Sequence, residues 1–422
     1  MKNNNAIYTP KLVFFLFCRF ISTICEQLLL FAIPLIIFQK TGDASKSGLA
    51  FLIEWLPAVM LLPFIGVLAD MFQEKKMYVI GDALRSIVCI SGFGLLVNIP
   101  EHTFLILSIT ASLLAILNSQ NFVALETTIA KNFSYEEIPR IQSLIQGLEL
   151  ASGVVGPALA SVLVLVIKEV DFLLITSLAF VVTGFGVLGL PNKKGITPIN
   201  PIQKGKSFNH VFKNIGEGFE IIIKNQFLRL LVLATMLINL VMGTVLAINP
   251  AVVKGVLGAS SQQYSFLGLF GGIMGTVVVL TLPIFLNKGK SIDVIGITSI
   301  VLLSISGMIL GLSNTFISYV IGYAILICGI GVFNVFLRTE RVKLIPKEHL
   351  GKSMGTIVFF NRLSLPLAGA IVAVCTKVVG PQQVVLGIAG IWIVINAVLF
   401  YYYFSKKRQN ENAVYLEIKK LD

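Results

Sequence analysis

Long apolar runs separated by short polar connections fill most of the chain. About 20 apolar residues in a row is what an α-helix needs to cross the roughly 30 Å of hydrocarbon in a bilayer. Twelve such runs are legible, at 12–39, 48–69, 76–98, 103–130, 139–167, 171–190, 227–254, 262–287, 292–313, 316–344, 351–377 and 383–404. They are continuous, without the ten-residue alternation of barrel strands, so they predict helices. The pattern therefore predicts an all-α membrane protein with twelve transmembrane helices. The first run is too long for a signal peptide and lacks a small-residue cleavage site, so it reads as a retained helix.

The longest polar stretch lies between Leu190 and Phe227 and opens with Pro, Gly and Lys, the composition of a flexible linker. From Ser207 onward, Phe208, Val211, Phe212, Ile215, Phe219 and Ile222 recur at helical spacing, which predicts an amphipathic helix on the inner membrane surface. The expected organisation is an N-terminal six-helix half (1–190), a cytoplasmic linker with that helix (191–226), a C-terminal six-helix half (227–405) and a cytoplasmic tail (406–422). If the halves are duplicates, matching residues should recur at a fixed offset. At 216 residues Pro34 falls on Pro250 and Asn118 on Asn334; at 213, Gly156 falls on Gly369. Order and spacing fit parallel, pseudo-symmetric halves.

Composition agrees: 56% of residues are hydrophobic and 13% charged, against roughly 25% charged in soluble domains. The net charge of +12 would suit nucleic acid if it were spread over one soluble surface, but it is a topology signal. Of the 33 Lys and Arg, only Lys40, Lys46, Lys168, Lys254 and Lys377 fall on the side opposite the termini, while 24 fall on the termini's side. The positive-inside rule then places both termini in the cytoplasm. No nucleic-acid partner is expected; the partners are the lipid bilayer and a small-molecule substrate. The five cysteines, Cys18, Cys25, Cys89, Cys328 and Cys375, lie inside spans without metal-type spacing and read as packing residues. His102, His210 and His349 form no ligand cluster, and no nucleophile motif stands out, so neither a metal nor enzymatic chemistry is expected.

A charge at the bilayer centre costs about 2.5–3.5 kcal/mol on insertion scales and normally faces a bundle interior or a wet cavity. Arg19 and Glu26 lie in span one, Glu54 in span two, Glu149 near the middle of span five and Arg362 near the middle of span eleven. Asn118, Asn121, Gln146, Asn239 and Asn361 sit at comparable depths, whereas the middles of spans three, six, nine and twelve carry no charge. Span one therefore lines a cavity along one face. Two roles compete for these charges, structural pairing and function. Pairing is favoured for Glu54 and Arg85, nearer the surfaces, and function for Glu26, Glu149 and Arg362. Arg19 and Glu26 are separated by a rise of about 10.5 Å, which predicts that they do not pair directly. The 213-residue offset predicts that Glu149 faces Arg362 as a proton-controlled latch.

The stretch GVLADMFQEKKMYVIGDALRS, at the end of span two and the start of span three, resembles the signature loop of the major facilitator superfamily, with Gly66, Asp70, Lys75, Lys76, Asp82 and Arg85 in its pattern and Met71 and Glu74 departing from it. SGVVGPALAS in span five resembles that superfamily's antiporter motif through Ser152, Gly156, Pro157, Ala160 and Ser161. The whole layout, with RFISTICEQLLLFAIPLIIFQKTGDASKSGLAF, resembles the branch of macrolide-efflux proteins and the enterobactin exporter. The resemblance implies a major facilitator fold, a cytoplasmic gate at Gly66, Asp70, Lys75, Lys76 and Arg85, and secondary transport.

No GxxxxGK[ST] nucleotide-binding pattern is present, so an ion or solute gradient must drive such transport, with no cofactor. The expectation is a monomeric, multi-pass exporter of the bacterial cytoplasmic (inner) membrane, coupled to the proton gradient and working by alternating access. Glu26 and then Glu149 are the proton-coupling candidates. Arg19, Glu54, Asn118, Asn121, Gln146, Asn239, Asn334, Asn361 and Arg362 are the substrate-binding ones. Two guanidinium groups favour an anionic solute such as a siderophore or an acidic drug, and Trp55, Phe359 and Phe360 could stack on its rings. Uptake of a siderophore and a non-transporting membrane sensor are the alternatives.

Overall fold

The computed structural model describes residues 10–71, 73–133, 138–189, 216–217, 219–287, 292–344 and 350–418. No strand occurs among them. Twelve helices coincide with the twelve apolar runs: α1 (Pro10–Thr41), α2 (Ala44–Met71), α3 (Glu74–Asn98), α4 (Thr103–Asn132), α5 (Ile138–Leu163), α6 (Phe172–Gly184), α7 (Gln226–Pro250), α8 (Ser261–Asn287), α9 (Ile292–Leu312), α10 (Phe316–Leu344), α11 (Leu350–Cys375) and α12 (Pro381–Ile418). Among the described residues nine helices are long and apolar enough to cross a membrane, and shorter apolar helices cover Gly147–Ala160 and Phe172–Val187. The last helix runs well past the expected boundary near residue 404, because the polar stretch after it contains no Gly or Pro to stop it.

The packing of the first six helices recurs in the last six. α1 packs on α5 and α6 as α7 packs on α11 and α12; α4 contacts α2 and α3 as α10 contacts α8 and α9; and α3 lies on α6 as α9 lies on α12. Across the seam, α2 packs on α11 and α5 on α8. A further sign of repetition lies in the turns. The only positive-φ residues among the described ones are Gly42 and Gly258, which follow α1 and α7 at the same 216-residue offset as Pro34 and Pro250. Each occupies the left-handed region that only glycine enters without a Cβ clash. Each turn also caps the next helix: the Ser45 amide donates to Asp43 Oδ1 at 2.8 Å, while Ser260 and Gln263 exchange reciprocal backbone-to-side-chain bonds.

The seam is tight at the end of the bundle opposite the chain termini. A β-carbon at Gly48 would lie 2.5 Å from the Ala373 amide nitrogen, one at Gly369 2.5 Å from the Leu52 nitrogen, and one at Gly272 2.5 Å from the Gly153 oxygen. Ser45 Oγ donates to the Ala373 carbonyl at 2.6 Å, and Gln39 Nε2 and Lys254 Nζ both donate to Ser261 Oγ. Small residues let these backbones touch, the usual device for joining helices where lipid supplies no hydrophobic driving force.

Residues 190–215, which hold most of the expected linker and the start of its amphipathic helix, lie outside the described residues. Of that helix, 219–224 is helical, and Ile222 is buried with Leu228, Val232 and Ile357. Its end thus packs on α7 and α11 and does not rest on lipid alone. The five cysteines are free and sit inside helices, as packing residues would.

Candidate functional site

A cavity of about 420 Å³ opens one turn on the termini's side of the tight seam. The register repeats on three helices. On α2, Gly48 and Leu52 make the seam while Glu54 and Trp55 line the cavity. On α11, Gly369 makes the seam while Arg362 and Leu365 line the cavity, and on α5 the pair is Gly153 and Glu149. Arg19, Glu26, Asn118 and Phe122 also line it.

Arg19, 7% exposed, reaches Glu149 at 3.3 Å and Glu26 at 3.6 Å. The expectation that Arg19 and Glu26 are too far apart to pair is therefore corrected: the long arginine stem and the glutamate arm together span the two-turn rise. Glu26 is also bound by Arg85 at 2.6 Å, and Arg85 is fully buried. Arg85 in turn meets Asp82 at 2.8 Å and Ser22 at 3.3 Å, with its guanidinium 3.8 Å from the centre of the Phe180 ring. Asn121 Nδ2 and Thr183 Oγ1 donate to the two Asp82 oxygens. Two guanidinium groups and three carboxylates thus form one connected network, the condition under which buried charge is tolerated.

The network reassigns several expected residues. Arg85, grouped with the gate from sequence, braces Glu26 deep in α3. Asn121 serves Asp82 and does not line the cavity. Glu149 pairs with Arg19, and Arg362 makes no ion pair among the described residues, so the Glu149–Arg362 latch is not formed here. Both residues face the cavity, but Arg19 of α1 captures the carboxylate. Arg362 lies 5.6 Å from the centre of the Phe122 ring. Glu54 lines the cavity without a hydrogen bond or ion pair among the described residues, so it is not the structural pair expected for it. Asn118 Oδ1 and Trp55 Nε1 are buried there with no hydrogen-bond partner among the described residues, an acceptor and a donor left for solute or water.

Asn239, Asn334 and Asn361 are not among the described residues that line this cavity, although Asn361 Oδ1 is buried and has no hydrogen-bond partner among the described residues. Phe359 and Phe360 pack edge-to-face on each other, and Phe360 on Phe219, away from the cavity wall. The side chains of Gly66, Asp70 and Gln146 lie outside the described residues. Lys75 and Lys76 stand at the start of α3, where the loop signature puts them. The antiporter-like motif occupies a three-helix junction: Ser152 Oγ is 2.6 Å from Thr23 Oγ1, Gly156 packs against Gln27 of α1, and Pro157 faces Gly268 of α8.

The model of the Major Facilitator Superfamily matches residues 15–339. The chain belongs to that superfamily. Among curated proteins, macrolide efflux protein A of Streptococcus pyogenes is 23% identical over 296 residues, covering 66% of this chain and 70% of that protein. Among solved structures, the nucleoside transporter NupG superposes with a TM-score of 0.72 at 18% identity, covering 93% of this chain and 99% of that one. A bacterial homologue of the iron transporter ferroportin in its inward-facing state gives 0.69 at 13% identity, covering 92% and 98%. At these identities the structures share the fold alone. Superfamily membership makes this chain a multi-pass membrane transporter and not an enzyme.

Proposed function

We infer that this superfamily member exports a small amphipathic molecule bearing an acidic group, coupled to the proton gradient, by alternating access across the bacterial cytoplasmic membrane, with both termini inside. One observation carries the reading: a cavity of about 420 Å³, closed at one end by the seam, in which the Arg362 guanidinium has no ion partner among the described residues. Arg19 is already engaged by two carboxylates, so the anion-binding role expected of both arginines falls to Arg362. A guanidinium can hold a carboxylate or catecholate through two parallel hydrogen bonds, and Trp55 and Phe122 offer apolar surface beside it. A secreted siderophore or an acidic drug has this chemistry, and the macrolide-efflux relative favours export over uptake.

Coupling rests on Glu26 and Glu149. Each holds Arg19, so a proton on either loosens the network that joins α1 to α3 and α5, and rocking of the halves can follow. One proton moved through 100 mV supplies about 2.3 kcal/mol. The test is twofold. Solute profiling of culture medium with and without the gene should show the exported molecule missing from the mutant's medium. Liposomes holding the purified protein should then move that molecule when a pH gradient is imposed. A Glu26→Gln variant that still couples solute to the gradient would remove the proton assignment.

A further inference from the structure

A second cavity, of about 250 Å³, lies in the seam itself and is lined from both halves, by α1, α2 and α5 on one side and α7, α8 and α10 on the other. Its wall is aromatic. Phe31, Phe51, Tyr264 and Tyr323 line it, with the Phe31 and Tyr264 rings 5.1 Å apart. Neither tyrosine hydroxyl makes a hydrogen bond among the described residues. The only Asp, Glu, Lys or Arg side chain in its described lining is Glu54, which also lines the main cavity and so stands in the wall the two share.

Glu54 has no hydrogen bond and no ion pair among the described residues. The cations that share the main cavity with it, Arg19 and Arg362, do not line the second chamber. From the other elements around the chamber come Gln27, Asn249 and Met242, all neutral. A carboxylate this deep in a membrane protein is costly without a positive partner, and aromatic faces attract a cation set against them.

We propose that the seam chamber is a second binding site, taking an organic ammonium group whose charge meets Glu54 and whose carbon substituents pack on Phe31, Phe51, Tyr264 and Tyr323. The site does not depend on which solute the main cavity carries or on the direction of transport. Because both halves build it, it exists only while the seam is closed. A ligand there selects that conformation, by the rule that a ligand shifts an equilibrium through its differential affinity for the two states.

The test is equilibrium binding of labelled benzyltrimethylammonium to the purified full chain in lipid nanodiscs, with neopentylbenzene, its uncharged isostere, as competitor. Saturable binding is expected, weakened at least tenfold by Glu54→Gln and several-fold by Tyr264→Leu, and not displaced by the isostere. Saturating probe should also slow thiol labelling of a Ser45→Cys variant, whose position lies in the closed seam. Unsaturable binding by the wild-type chain, equal affinity in both variants, or displacement by the neutral isostere would each overturn the proposal. None of these readouts involves transport, so failure of the exporter reading in liposomes would leave this result standing, and the reverse.

Discussion

Arg85 grips Glu26 at 2.6 Å from a position with no solvent exposure at all, joining α3 to α1 behind the cavity wall that Glu26 lines. The same guanidinium holds Asp82 at 2.8 Å, so one cation answers two carboxylates. Removing it leaves Asp82 with neutral donors only and Glu26 with only its 3.6 Å contact to Arg19. Breaking a buried pair from one side costs about 3–5 kcal/mol. Arg85→Ala should therefore lower the melting temperature of the detergent-solubilised protein sharply, and Arg85→Lys should recover only part of the loss, because an ammonium cannot fork between two carboxylates while stacking on Phe180. Thermal unfolding followed by size-exclusion chromatography reads the difference.

Glu26 and Glu149 both bind Arg19, but they are not equivalent. Glu26 is 21% exposed and bridges two arginines, whereas Glu149 is 35% exposed and meets Arg19 at 3.3 Å. Glu26→Gln leaves two guanidinium groups short of charge. Glu149→Gln leaves Arg19 its Glu26 contact. The first variant should be the less stable of the two, by a margin visible as a lower melting temperature in the same assay. Equal stabilities would mean that Arg85 gains nothing from Glu26.

Sequence made the helices legible because twelve runs of apolar residues are forced by bilayer thickness, whatever their neighbours. It also brought Arg19, Glu26, Asn118, Glu149 and Arg362 to one cavity, since a charge or amide at mid-depth has few other places to go. What it could not give was pairing. Helical spacing separates Arg19 from Glu26, yet flexible side chains close that gap, and the offset linking Glu149 to Arg362 is blind to Arg19 standing nearer. Motif spacing groups Arg85 with a loop signature because it reports chain position, not depth, while the structural pairing also expected of Arg85 is present with Glu26 and Asp82. The seam chamber was invisible for another reason: Phe31, Phe51, Tyr264 and Tyr323 look in sequence like any lipid-facing aromatic, and only the apposition of the two halves distinguishes them.

The α2–α11 seam closes because Gly48 and Gly369 carry no side chain; a β-carbon at Gly369 would meet Leu52 N at 2.5 Å and Gly48 O at 2.8 Å. Both contacts are backbone and cannot swing aside. Gly369→Val must push the helices apart, and overpacking of this kind costs about 1–3 kcal/mol. The expected outcome is a shift away from the closed seam, read as faster thiol labelling of Ser45→Cys from the end opposite the termini, together with a lower transport rate. Unchanged labelling would show that the two helices separate elsewhere.

Arg362 has Phe122 beside it and no carboxylate partner among the described residues, so its guanidinium is available to a solute in a way that Arg19's is not. A hydrogen bond to a charged group contributes about 1.5–3 kcal/mol, and about 1.4 kcal/mol is tenfold in an equilibrium constant. Arg362→Ala should accordingly weaken binding of an acidic solute by roughly 10- to 100-fold, while Arg362→Lys keeps the charge but loses the forked geometry and falls between. The esterified, uncharged form of the same solute should bind wild type and Arg362→Ala alike. Equilibrium binding of both forms to both variants decides it: an ester that loses affinity in step with the acid would mean that Arg362 acts through packing on Phe122 and not through its charge.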